Sequence, residues 1–167
     1  YNTLITQTTG GGENCAFGWE SLKLNTTGDH NNAFGNGTLD ANTTGVNNTA
    51  FGSYALSANT EGDANTAIGP YALDANTTAA YGTALGAYAL TSNTTGAANT
   101  SVGYGSMNTN TTGADNTAMG TSALYTNNAT NNAAFGRSAL AQNTTGTQNT
   151  TVGAYALDAN TTASNVT

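Results

Sequence analysis

The sequence predicts an all-β fold, a parallel β-solenoid or β-roll of about nine to ten coils with 17 residues in each. Three columns of residues predict it. A bulky apolar residue followed at once by glycine recurs at Phe17, Phe34, Phe51, Ile68, Leu85, Val102, Met119, Phe135 and Val152. Five positions on, a second apolar column runs through Leu22, Leu39, Leu56, Leu73, Leu90, Met107, Leu124, Leu140 and Leu157. Three positions further comes asparagine, at Asn25, Asn42, Asn59, Asn76, Asn93, Asn110, Asn127, Asn143 and Asn160. A fixed short period marks a repeat in which each unit contacts only its neighbours.

Within one repeat the elements follow in order. Residues 48–52 read as a short strand with Phe51 inward and Ala50 and Gly52 on the opposite face, by two-residue alternation. Gly52, lacking Cβ, lets the backbone turn or approach its neighbour closely. Residues 53–57 return Leu56 to the core, as a second short strand or a helical turn. Residues 59–62 carry turn chemistry, since Asn bonds its own backbone and Gly is free to take positive φ.

One large apolar residue, one leucine and one or two alanines per coil cannot bury themselves alone, so the coils must stack. Nine coils rising about 4.8 Å each make a rod of roughly 43 Å. Helical repeats are excluded by length, since their periods run at about 33–47 residues. Met119 to Phe135 spans 16 residues, and the missing one falls in the turn at 127–132. The chain therefore divides into an irregular first coil over residues 1–12 and a tandem array over 13–167. In that first coil Tyr1 lies in the bulky column and Ile5 takes the leucine role. The asparagine column is expected to bond side chain to side chain along the axis, as stacked amides do in cross-β ladders.

Composition narrows the function. Only 7% of residues are charged, against about 25% in ordinary domains. Two cations, Lys23 and Arg137, face nine acids for a net charge of −7. Nucleic-acid binding needs clustered Lys and Arg to neutralise phosphates, and docking on anionic membranes needs the same. No apolar run reaches the roughly 20 residues that would insert in a bilayer. Low complexity alone would suggest disorder, but disordered tracts have no reason to hold Phe and Leu in register. Cys15 is the single cysteine, so no internal disulfide forms; it stands where Thr49, Thr66 and Thr117 stand in other repeats and reads as a small buried residue. No initiator methionine, signal peptide or charged capping unit is present, which predicts an array inside a longer chain or one that stacks end to end.

No residue set points to catalysis, a metal or a cofactor. His30 is the one histidine and reads as a surface turn residue. Asp29, Asp63 and Asp115 fall near equivalent turns but not in every coil, and the calcium-binding glycine-aspartate repeat is absent. Asn-x-Ser/Thr sequons are abundant, and those outside the asparagine column, at Asn36, Asn47, Asn99, Asn149 and Asn165, are the expected glycosylation sites. Tyr54, Tyr71, Tyr88 and Tyr155 share one position of the repeat. They suit either packing between subunits or stacking on sugar rings, with flat structural stapling as the simpler account. A threonine column (Thr49, Thr66, Thr83, Thr100, Thr117, Thr150) could instead face ice, although a single Thr per strand is fewer than a paired array offers.

The units N-T-A-I-G (65–69), N-T-S-V-G (99–103) and N-T-T-V-G (149–153), the first and third of them followed by Y-A-L, resemble the head repeats of trimeric autotransporter adhesins. More closely still they resemble arrays in bacterial and phage surface or tail-fibre proteins. The resemblance covers residues 13–163, with a period of 17 that is longer than the adhesin repeat. It implies a left-handed parallel β-roll, often trimeric, displayed outside the cell. The expected function is a non-enzymatic structural or adhesive fibre subunit, extracellular or at the cell surface, whose partners are copies of itself joined head to tail. Trimers and glycan binding remain open beside it. An ice-binding solenoid is the alternative, and a carbohydrate-binding module a further one.

Overall fold

Strands form where each repeat places small and bulky residues in alternation, and turns take over where glycine and asparagine cluster. The computed structural model describes residues 12–167. Nine three-residue strands follow one another: Cys15–Phe17 (β1), Asn32–Phe34 (β2), Thr49–Phe51 (β3), Thr66–Ile68 (β4), Thr83–Leu85 (β5), Thr100–Val102 (β6), Thr117–Met119 (β7), Ala133–Phe135 (β8) and Thr150–Val152 (β9). They make one parallel sheet in chain order, each paired with the next in strict register, as in Thr49↔Thr66, Ala50↔Ala67 and Phe51↔Ile68. The architecture is a parallel β-solenoid of about eight turns. That is slightly fewer than nine to ten, and Tyr1 and Ile5 of the expected first coil lie outside the described residues. Among the described residues there is no helix, so residues 53–57 return to the core as a hydrogen-bonded turn instead.

The interior differs from expectation in one decisive respect. The bulky column lies outside: Phe51 is 41% exposed and Val152 76%, and Phe34, Leu85, Val102 and Phe135 are half-buried. Phe17, Ile68 and Met119 are likewise exposed. The strand instead buries its central residue, Ala33, Ala50, Ala67, Ala84, Ala118 or Ala134. The cause is parity. A second asparagine column, through Asn31, Asn48, Asn65, Asn99, Asn116, Asn132 and Asn149, is buried at the strand entry. With Asn48 inside, alternation puts Thr49 out, Ala50 in and Phe51 out. Cys15 follows the same rule and is exposed.

The leucine column fills the cavity from the other side. Leu22, Leu39, Leu56, Leu73, Leu90, Met107, Leu124 and Leu140 are fully buried, whereas Leu157 in the last coil is 37% exposed. All of them hold a left-handed backbone, with φ of 51° at Leu73 and 46° at Met107. Left-handed backbone costs an L-residue about 1–2 kcal/mol. Full burial of a leucine returns about 1.5–3 kcal/mol, so the tight reversal survives.

The polar interior is held by two ladders. In the first, Asn42 Nδ2 donates to Asn25 Oδ1 at 2.8 Å, Asn59 Nδ2 to Asn42 Oδ1 at 2.9 Å and Asn76 Nδ2 to Asn59 Oδ1 at 2.8 Å. The rows continue to Asn160. In the second, Asn48 Oδ1 accepts the Asn65 backbone N–H at 3.0 Å, and Asn48 Nδ2 donates to the Gly62 carbonyl at 2.8 Å. Among the described residues no buried side-chain nitrogen or oxygen lacks a partner.

Gly82 interrupts the second ladder. Asn65 Oδ1 still receives the Gly82 N–H at 2.8 Å, but no side chain at 82 serves the Gly96 carbonyl, and Asn99 Nδ2 donates to it at 3.1 Å in addition to its regular bond to Gly113 O at 2.7 Å. The nearest atoms to a Cβ on Gly82 would be the movable side-chain tips of Asn65 and Leu73. Gly82→Asn is therefore expected to stabilise the protein by about 1 kcal/mol, through restored hydrogen bonds and a less flexible unfolded chain. The urea midpoint checks it, and a lower midpoint would refute the ladder's completion.

Candidate functional site

The outer face of the sheet is a regular surface that runs through all nine strands. Each strand presents two outward side chains flanking its inward centre, so threonine and bulky columns run side by side along β1–β9. Strands β1, β2 and β8 carry Cys15, Asn32 and Ala133 in place of threonine. Phe34 and Phe51 stack with centroids 4.5 Å apart at 6°, and Phe17 continues the row at 6.5 Å. Among the described residues no strand contains a charged residue.

The tyrosines lie three positions after the bulky column. Tyr54 and Tyr71 stack at 5.4 Å and 15°, and Tyr71 and Tyr88 at 5.3 Å and 5°. Where the column lapses at Gly105, Tyr104 closes it edge-on at 5.8 Å from Tyr88. Tyr155 is separate, with the Arg137 guanidinium 5.5 Å over its ring. Face-to-face stacking along the axis covers the ring planes that a sugar would need. Edges and hydroxyls are what this stripe offers solvent. Tyr104 escaped sequence reasoning because it sits one position off the column; its signal was an aromatic beside a lapse.

The turns are closed by backbone rather than by ions. Thr26, Thr27 and Gly28 all donate their N–H to the Thr43 carbonyl, at 3.0, 3.1 and 3.2 Å, and Thr26 Oγ1 donates to it at 2.9 Å. In the short coil Asn128 replaces the missing carbonyl with its side chain: Oδ1 accepts from Thr111 N and Thr111 Oγ1, both at 2.7 Å. Asp29 Oδ1 is likewise occupied, by the N–H groups of Glu13, His30 and Gly12. The bonds from Glu13 and His30 hold its carboxyl below the usual aspartate range. Among the described residues no three His, Cys, Asp or Glu side chains cluster to hold a metal ion.

Against known proteins, no family model, no curated protein and no solved structure matches this chain. Its surfaces must therefore be read from their own chemistry.

The sequons divide cleanly. Asn99 and Asn149, expected to be glycan acceptors, are buried members of the second ladder, with Nδ2 donated to the Gly113 and Ala163 carbonyls. Alternation hid them, because the sequence shows them beside threonine but not which of the two faces inward. Asn47 and Asn165 are exposed, Asn36 is half-buried, and Asn128 is exposed with Nδ2 outside its turn-closing bonds. Protein secreted from an N-glycosylating host is expected to carry glycans at these four positions alone. Glycopeptide mapping checks this; folded protein modified at Asn76 or Asn99 would contradict the ladders.

Proposed function

We propose that this chain is a non-enzymatic structural module of an extracellular, adhesin-like fibre in which coils stack from one molecule onto the next. The observation that carries the reading is the sameness of the junctions. At every step the upper edge of one coil meets the lower edge of the next through the same backbone bonds, such as Thr49 N to Asn65 O and Thr66 N to Gly82 O, both at 2.8 Å. The strand side of any coil edge therefore complements that of any other. Beyond β9, Val152, Ala156, Leu157 and Val166, together with Thr150, Thr151 and Thr167, line an open hollow. A further coil, of this chain or of a copy, would cover it as Leu140 is covered by its neighbour. Electron microscopy of the purified protein is expected to find filaments with an axial repeat of about 4.8 Å. Short rods of uniform length at every concentration would overturn the reading.

The ice-binding alternative is favoured by one observation, the outward threonine column spaced by the strands. Its companion column varies from Val to Phe, however, and breaks the flatness that ice matching requires. Thermal hysteresis decides between the two.

A further inference from the structure

We propose that the outer sheet face is a lateral contact between two copies of this chain. It is a different surface from the coil edges and does not depend on end-to-end stacking. Three properties of the face point to a second copy. The first is its apolar character: Phe17 is 74% exposed and Ile68 43%, and the half-buried members Phe34, Leu85, Val102 and Phe135 keep part of their surface in solvent. Contiguous apolar surface of this kind marks a contact site on a soluble protein.

The second property is charge. The chain carries −7 overall, with two cations against nine acids, yet none of these eleven residues lies in a strand. Two copies meeting elsewhere would oppose like charges; here they would not.

The third property is shape and repeat. The bulky column stands beside the threonine column, a ridge beside a groove, at the strand spacing of about 4.8 Å. A two-fold axis lying in the contact plane, parallel to the solenoid axis, lays each copy's ridge in the other's groove. Because both copies share one repeat, the fit made at one coil is made at all of them. A partner with another periodicity would fit at one or two coils only. Nine strands make a strip about 40 Å by 12 Å. Two strips removed from water amount to about 1,000 Å², the lower bound of specific interfaces, which fits a weak, concentration-dependent pair.

The test is sedimentation velocity on the full chain over a range of concentrations. The wild type is expected to reach twice its monomer mass. The triple variant Ile68→Thr, Leu85→Thr and Val102→Thr lowers the ridge and is expected to sediment as monomer, with an unchanged circular dichroism spectrum. The variant Thr83→Leu and Thr100→Leu fills the groove. Ridge-in-groove packing expects it to lose the dimer as well, although it adds apolar surface, whereas unspecific stickiness would strengthen association. Where filaments form, the triple variant should halve their mass per length without shortening them, which separates lateral pairing from axial stacking. A wild type that is monomeric throughout, a triple variant that pairs as the wild type does, or a groove-filled variant that still dimerises would each overturn the proposal. Thermal hysteresis from a monomeric wild type would assign the face to ice and overturn it too.

Discussion

Gly69→Ala is expected to destabilise the protein by about 4 kcal/mol, a large effect for a single methyl group. Two causes add. Gly69 holds φ at 133°, a region that L-residues rarely adopt, and such backbone costs about 1–3 kcal/mol. A Cβ there would also stand 2.6 Å from the Gly86 carbonyl carbon and 2.7 Å from its oxygen. Those are main-chain atoms of the next coil, which cannot swing aside as a side-chain tip can. The coils would have to part, losing the 2.7 Å bond from Gly69 N to Phe51 O or its neighbour from Gly86 N to Ile68 O. Gly153→Ala separates the causes: its φ is 128°, yet its Cβ would meet only Ala156 Cβ at 3.8 Å. It should cost markedly less. Urea unfolding measures both, and equal losses would dismiss the close approach of coils as the reason for this column. Amide exchange should rise first in β4 and β5, because a solenoid opens locally between neighbours.

Asn76→Ala is expected to cost about 3 kcal/mol. It strips Asn59 Oδ1 of the donor at 2.8 Å, and an orphaned buried acceptor carries most of that penalty. Ala79 O keeps a bond from Asn65 Nδ2 at 2.8 Å, and Asn93 Nδ2 keeps Gly96 O at 3.0 Å, so the damage is bounded. Asn76→Asp sharpens the test. An ionised carboxylate cannot donate to Asn59 Oδ1 and is buried, so its folded pKa must lie above the unfolded value of about 3.9. A raised acid contributes least above its folded pKa and most below the unfolded one. The Asp variant should therefore gain stability as pH falls from neutral toward 4, while the Ala variant shows no such gain. Parallel pH profiles for the two would sink the account of a directional amide ladder.

Both substitutions touch columns that the period displayed. The repeat also predicted the parallel stacking, the turn at 59–62 and the place where one residue could be lost. These features are legible because they depend on which positions are equivalent from coil to coil, and equivalence is a property of sequence alone. Asn128 was less legible. Its side chain does the work of a peptide carbonyl, and only the position of the donors Thr111 N and Thr111 Oγ1 assigns it that role. Tyr104 was hidden for a similar reason, since it joins its column through space rather than through spacing.

Sequence by itself determined the coil length, the columns and their register. It could not determine which side of each strand faced inward. Two-residue alternation says that Thr49 and Phe51 share a face and that Asn48 and Ala50 share the other, and inverting the strand leaves that pattern unchanged. Hydrophobicity favours Phe51 inside. The folded coil decides otherwise, because Asn48 has a carbonyl and an amide within reach only in the interior, and Leu56 already fills the remaining space. Satisfying a buried amide in coil after coil, Gly82 excepted, outweighs hiding a phenylalanine, and the apolar column is left on the surface.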